Sequence, residues 1–178
     1  MAIQWVKLEL DVMAFDSDPY AGLLNAIEAD GIALSTLAEL GPTERNLRRM
    51  FELNAECSAD IPGRGPFHTW EAYQRLRIDV PSFTPAGVLI AHRELTDEWI
   101  GMAGISMHPE RDYLFNEMTG VRRAERRRGL ATAMKVRNLG FTEETGRSIV
   151  RTVHQPGNDA MIKLNRQLGY TNATWPYP

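Results

Sequence analysis

The stretch Val121-Arg-Arg-Ala-Glu-Arg-Arg-Arg-Gly-Leu-Ala-Thr132 decides the reading of this chain. Before it, Tyr113 to Val121 has the composition of a strand, and after it Leu130 to Glu144 has helical spacing. The quoted residues therefore form a basic turn that carries the chain from a strand end into a helix that starts near Gly129. A helix start has unpaired N–H groups and the positive end of the helix dipole, so it binds phosphate oxygens. Gly129 has no Cβ and lets a ligand approach the backbone, and Ala131 keeps the next contact surface small. Five arginines between positions 122 and 128 add long-range attraction for an anion. The residues alone predict a diphosphate-binding helix start. No Gly-x-x-x-x-Gly-Lys-Ser/Thr run occurs, and no Gly-x-Gly-x-x-Gly follows a strand, which argues against a nucleotide-hydrolysing loop and a dinucleotide fold.

Outward from this stretch, periodicity assigns the rest. Ile3–Val12 partly alternates and reads as a half-buried strand; Pro19–Ala29 reads as a helix with Ser17 or Asp18 available as cap and Gly31 beyond its end. Ile32–Leu40 reads as a short strand. Thr43 opens a helix with Leu47, Met50 and Phe51 on one face, Ser58–Pro66 is a loop, and Thr69–Leu76 is a short helix. Val88–His92 and Trp99–Met107 form a hairpin. Ser148–His154 is a strand rich in β-branched residues. Asn158–Leu168 is a helix capped by Asn158 and ended by Gly169, with Ala160, Met161, Leu164 and Leu168 on its core face. Gly120 inside a strand pattern suggests a bulge. Gly140, inside the long helix, costs about 1 kcal/mol relative to Ala or marks a kink. The order describes an α/β domain with a mixed sheet.

Composition bounds the function. A length of 178 residues suits one domain, and 43% hydrophobic with 24% charged residues excludes disorder and collagen-like repetition. Twenty Lys+Arg against 23 Asp+Glu gives −3, which speaks against a general nucleic-acid binder and suits cationic substrates. The single Cys57 forms no internal disulfide and suits a reducing compartment. No window approaches the roughly 18 apolar residues of a membrane span, and Met1–Ala14 lacks the order of a secretion signal. The expected location is cytoplasmic, with no membrane or nucleic-acid partner.

Two motifs then carry a resemblance. Arg126-Arg127-Arg128-Gly129-Leu130-Ala131 fits the pattern Arg or Gln, two residues, Gly, one residue, Gly or Ala. Asn158-Asp-Ala-Met-Ile-Lys-Leu-Asn-Arg-Gln-Leu-Gly-Tyr170 is a helix opened by Asn and closed by Leu-Gly-aromatic. In both, the chain resembles the GNAT superfamily of acyl-CoA-dependent N-acyltransferases, over about four-fifths of its length, from Ile32 to Trp175. The resemblance implies a mixed, mostly antiparallel sheet flanked by helices and splayed between its fourth and fifth core strands. Residues 1–30 would be an N-terminal strand and helix extension and 31–178 the acetyltransferase domain. Acetyl-CoA would enter the splay, its pantetheine arm pairing with backbone from Thr119 to Val121. Its diphosphate would meet Arg126, Arg127, Arg128, Gly129, Leu130, Ala131 and Thr132, with Asn158 and Asn165 at further cofactor-touching positions. Gly129→Glu would then abolish CoA binding in an intact fold.

The implied reaction is direct acetyl transfer from the thioester to a primary amine, on a small molecule or a peptide. An ammonium must lose a proton before it attacks, so a base is needed. Glu117 is the first candidate, four residues before Val121 and on the same strand face absent a bulge; the alternatives are a solvated acid or an arginine's partner. His154 is the second, or a loop residue with no catalytic duty. A backbone N–H near Val121 would stabilise the oxyanion. His68, His92 and His108 lack metal spacing, and no metal is expected. Glu52, Asp60 and Asp79 are candidates for receiving a cationic acceptor, or are ordinary solvated acids.

Two departures stand out against the family pattern. Asn165 occupies the position where many members have a Tyr that protonates the departing sulfur, while Tyr170 fills a slot that is usually core. The chain also closes on Thr171-Asn-Ala-Thr-Trp-Pro-Tyr-Pro178, where family members have two further strands, and it carries the extra strand Ile3–Val12. That strand is expected to fill the missing place in the sheet, within the chain or by exchange in a homodimer, as in the second half of a tandem relative. Two other functions compete: a non-catalytic acyl-CoA-binding sensor, and a nucleic-acid or protein interaction domain built on the arginine cluster.

Overall fold

Alternating and fully apolar runs become strands, and the helices that cover them follow from capping and burial. The computed structural model describes residues 4–61 and 63–176. In chain order the elements are β1 (Val6–Asp11), α1 (Ala21–Ala29), β2 (Ile32–Thr36), α2 (Leu37–Leu40), α3 (Glu44–Ser58), α4 (Trp70–Tyr73), β3 (Val88–Arg93), β4 (Trp99–Ser106), β5 (Leu114–Val121), α5 (Leu130–Asn138), α6 (Phe141–Thr145), β6 (Ile149–His154), α7 (Asp159–Gln167) and β7 (Thr171–Asn172). The seven strands form one sheet in the order β2-β3-β4-β5-β6-β1-β7. Every pair is antiparallel except β5 with β6. Ile3, Pro62, Tyr177 and Pro178, which fall in the predicted N-terminal strand, the Ser58–Pro66 loop and the tail, lie outside the described residues.

β4 is buried at all eight positions because both of its faces are covered. On one face Ile100 and Ala103 pack with Leu130, Ala133 and Met134 of α5. On the other, Met102 packs with Met50, Leu53 and Cys57 of α3 and with Tyr73. A third cluster, Leu8, Leu10, Leu114, Val150 and Tyr170, lies where β5, β6 and β1 adjoin.

β1 fills the sheet position in question from within the chain. It runs antiparallel between β6 and β7, with Leu8 opposite both Thr152 and Asn172, and the Val12 N–H extends the pairing to the Ser148 carbonyl at 2.7 Å. Glu9 pairs with Arg151 at 3.0 Å across this join.

Several expectations need correction. Ile32–Leu40 is a strand only to Thr36. There the Thr36 hydroxyl accepts the Glu39 N–H at 3.1 Å and the Glu39 carboxylate accepts the Thr36 N–H at 2.7 Å, a reciprocal cap that starts α2. The helix read over Leu130–Glu144 breaks at Leu139-Gly140 into α5 and α6, which explains the glycine. Asn158 precedes α7 but makes no side-chain cap bond, and no side chain of Ser17 or Asp18 caps the turn before α1. The core face of α7 is Ile162, Asn165 and Leu168, with Leu164 packed against the core and also reaching the cleft, while Ala160 and Met161 line the cleft. Both sides of α7 carry apolar residues, so spacing alone did not separate core from cleft.

The bulge lies upstream of Gly120. Ala103 opposes Thr119 but Ile105 opposes Asn116, so Glu117 and Met118 together face Gly104. Gly120 answers a different need: a Cβ there would stand 2.5 Å from Cys57 Cβ, so its absence lets α3 press onto the sheet.

Leu8 is fully buried in the third cluster. Leu8→Ala is expected to lower unfolding free energy by about 2–5 kcal/mol in urea titration. A loss below 1 kcal/mol would mean that β1 is not the sheet strand described.

Candidate active site

β5 and β6 pair at only two positions, Leu114 with Val150 and Phe115 with Arg151. A last link follows, the Thr152 hydroxyl donating to the Asn116 carbonyl at 3.1 Å. Beyond it the bulged strand turns away, and a cleft of about 940 Å³ opens in the fork. Glu117, Thr119, Val121, Arg126, Arg127, Gly129, Leu130, Ala131, Thr132, His154 and Asn158 all line this cleft. Arg128 and Asn165 do not. Arg128 turns outward to pair with Asp30 and, at 2.6 Å, with Glu125. Asn165 is completely buried behind His154, with its Nδ2 2.6 Å from the imidazole Nε2.

One wall of the cleft is the start of α5. Gly129 stands there at φ +78°, and Arg127 two residues earlier at φ +65°, so the turn curls its N–H groups inward. The first helical bond returns from the Ala133 N–H to the Gly129 carbonyl at 2.9 Å, and no side chain among the described residues caps the amides of Leu130, Ala131 and Thr132. A Cβ on Gly129 would lie 2.7 Å from Leu23 Cδ1 in a backbone region that favours glycine. Gly129→Glu would therefore strain the fold itself instead of leaving it intact.

The next wall is the exposed edge of β5. The Arg122 N–H bonds to the Ile100 carbonyl of β4 at 2.9 Å, so by alternation the backbone groups of Val121 and Thr119 point into the opening. Arg126 Nε donates to the Val121 carbonyl at 2.9 Å, so among the described residues the Val121 and Thr119 N–H groups are left unpaired on that edge. The buried Thr119 hydroxyl has no partner among the described residues. These features fit an elongated anionic ligand: bare amides, a free strand edge and an orphaned hydroxyl lie along one channel.

Charge is distributed differently from the sequence reading. Arg122 pairs with Glu56 at 3.1 Å and Glu98 at 2.8 Å, Arg123 and Arg126 hold Asp60, and Arg128 holds Asp30 and Glu125. Among the described residues, Arg127 is the one arginine of the five without an ion pair. Asp60 lines the cleft, and hydrogen bonds from Arg123 and then Arg126 hold its carboxyl far below the usual range, so it is not free to receive an amine. Glu52 lies on the outer side of α3 and Asp79 is absent from the cleft wall. The cleft wall presents Arg64 and Arg77 instead.

The bulge corrects Glu117 as well. It puts Glu117 and Val121 on opposite faces: Val121 packs with α5, whereas Glu117 faces Arg77, 3.6 Å away, and accepts from the Ser106 hydroxyl at 2.8 Å. His154 faces Asn165, and burial followed by the nearby Lys135 charge lowers its pKa to about 4. Cys57 lines the cleft too, with burial raising its thiol to about 11.

A family model described as the acetyltransferase (GNAT) family matches residues 47–170, more than half of the chain. The chain belongs to the GNAT acetyltransferase family. No curated protein matches it. Among solved structures, a GCN5-related N-acetyltransferase from Sphaerobacter thermophilus is similar at TM-score 0.65 and 18% identity, covering 95% of this chain and 48% of its own. A tandem GNAT protein from the clavulanic acid biosynthesis pathway is similar at TM-score 0.63 and 20% identity, covering 96% and 50%. The ribosomal-protein-S18-alanine N-acetyltransferase from Escherichia coli reaches TM-score 0.60 at 15% identity, covering 80% and 79%. At such identities the likeness is one of fold, and the chain spans about half the length of the first two. No helix among the described residues is long and apolar enough to cross a membrane.

This GNAT fold also holds a residue that the sequence reading missed. Lys135 of α5 is 5% exposed, yet it reaches the cleft at the fork. Its position after Ala131 and Thr132, by four and three residues, puts it on their helix face, a spacing that could have exposed it.

The lowered pKa of His154 has a sign that can be measured. A depressed native pKa makes stability fall as pH drops from 6.5 through about 4, because the unfolded chain takes up the proton first. Chemical unfolding of wild type and His154→Gln over this range should diverge by up to about 3 kcal/mol, the wild type losing more. Parallel pH curves would mean that His154 is not buried against Asn165.

Proposed function

We propose that this GNAT-family chain moves an acetyl group from acetyl-CoA to a primary amine by direct attack. The observation that carries the reading is the uncapped start of α5 opening onto the β5–β6 fork, with Glu117 on the same cleft. The amides of Leu130, Ala131 and Thr132 and the unpaired Arg127 would hold the diphosphate. The edge of β5 at Thr119 and Val121 would hold the pantetheine arm. Acetyl-CoA, when bound, supplies an activated thioester.

The chain's own residues do the rest. Glu117 takes the proton from the incoming ammonium, its carboxylate held by the Ser106 hydroxyl and faced by Arg77. His154 makes a poor base, since its pKa of about 4 leaves it little affinity for a proton. Cys57, with its thiol near 11, stays protonated and does not serve as a relay nucleophile, which favours direct transfer. Arg64 and Arg77 repel polycations, so a multiply charged polyamine suits the acceptor wall poorly.

Calorimetry with acetyl-CoA and Ala131→Glu tests the donor site. A glutamate suits the first helical turn, but Ala131 is half-buried against the α5 core, so the variant is first checked by circular dichroism; with a wild-type spectrum it should lose acetyl-CoA affinity by at least about 100-fold, through repulsion of the diphosphate. Unchanged affinity would remove the donor assignment and leave the interaction-domain reading. Thiol release over an amine panel tests the base: Glu117→Gln should lower kcat by about 10²–10⁴-fold. Acetyl-CoA binding without turnover of any amine would favour the sensor reading.

A further inference from the structure

We propose that Lys135 delivers the proton that the departing thiolate of CoA requires, the duty that Asn165 cannot perform. The inference rests on the acetyl-transfer reading above.

Lys135 lies at the floor of the fork. Its ammonium donates to the Asn116 side-chain oxygen and stands 5.4 Å from the centre of the Tyr170 ring. The orientation of Asn116 is fixed, because its Nδ2 donates to the Gly104 carbonyl at 2.9 Å. An ammonium has three donors, and Asn116 takes one. Among the described residues no carboxylate pairs with Lys135, and its ammonium makes no hydrogen bond besides the one to Asn116. Burying an ammonium without an anion is costly, and a Met or Leu would fill the same space without that cost. A buried donor with spare N–H groups at the floor of a cleft is therefore arranged for a ligand atom that becomes negative.

The groups facing Lys135 are consistent in sign. From β5 comes the neutral Asn116 and from the residues after α7 comes Tyr170, whose hydroxyl is held protonated by burial. From β6 comes His154, uncharged near neutrality. Burial lowers the Lys135 pKa to about 7, close to where a proton can both be held and given near neutral pH.

The step balances. The amine nitrogen forms a bond to the thioester carbon, the C–S bond breaks and sulfur keeps its electron pair. Lys135 Nζ gives that sulfur a proton and regains one from water. Glu117 or solvent accepts the proton that the amine sheds. The sum is amine plus acetyl-CoA to amide plus free thiol.

Lys135→Met removes the proton and keeps the volume; Lys135→Gln serves as a second variant should the first not fold. With acetyl-CoA, the variant should bind the donor within about threefold of wild type by calorimetry and lose at least about 100-fold in kcat with KM unchanged. The selenium analogue of acetyl-CoA, whose selenolate leaves without protonation, should restore most of that loss. Independently of turnover, calorimetry below pH 7, where Lys135 is charged, should show wild type preferring CoA over its desulfo analogue by about threefold, and Lys135→Met losing that preference, because the spare N–H groups meet the sulfur. Retained kcat, an equal loss with both donors, or the same preference for CoA over desulfo-CoA in wild type and variant would each overturn the assignment of Lys135. A wild type that neither binds acetyl-CoA nor acetylates any amine would overturn the acetyl-transfer reading and this inference with it.

Discussion

Two strands that begin to pair and then part govern this molecule. β5 and β6 share two register positions and one hydroxyl-to-carbonyl link before they separate. Strand backbone left unpaired inside a protein must find partners, and a ligand that pairs like a strand is one way to provide them. The bulge at Glu117-Met118 is what turns β5 away, and Gly120 lets that strand press against α3 while it does so. Because β4 is clamped by helices on both faces, the opening cannot close by flattening the sheet.

The same fork sorts the charges. Four of the five arginines around α5 are neutralised by Glu56, Asp60, Glu98, Asp30 and Glu125, so the turn is an ion-pair framework more than a cationic surface. That framework shapes the loop and, among the described residues, leaves Arg127 without an ion pair and the first α5 amides without a cap. On the far side of the opening, Lys135, His154, Asn165, Asn116 and Tyr170 form a buried polar group in which, among the described residues, Lys135 keeps spare N–H donors and the Asn165 side-chain oxygen has no partner. Polar groups buried under such conditions are expensive, and they sit where chemistry would use them.

Most of the fold was legible because its strands are apolar or alternating and its turns carry Gly and Pro. The α5 start was legible for a further reason: a strand, a basic turn, Gly129 and a helical pattern occur in immediate succession. What escaped was set by contacts between distant segments. The faces of Glu117 and Val121 depend on a bulge that only the pairing with β4 reveals. Arg128 looked like its neighbours until Asp30, nearly a hundred residues earlier, drew it outward. Asn165 was readable as a missing tyrosine but not as a buried support for His154. The Thr36-x-x-Glu39 cap lay in plain sequence and was overridden by the apolar residues around it.

The central claim is that the amides at the start of α5 and the free edge of β5 hold one elongated ligand between them. Backbone hydrogen exchange, with and without CoA, tests it most directly. The account predicts slowed exchange confined to Leu130, Ala131, Thr132, Thr119 and Val121. Protection that falls elsewhere, with these five amides unchanged, would contradict it.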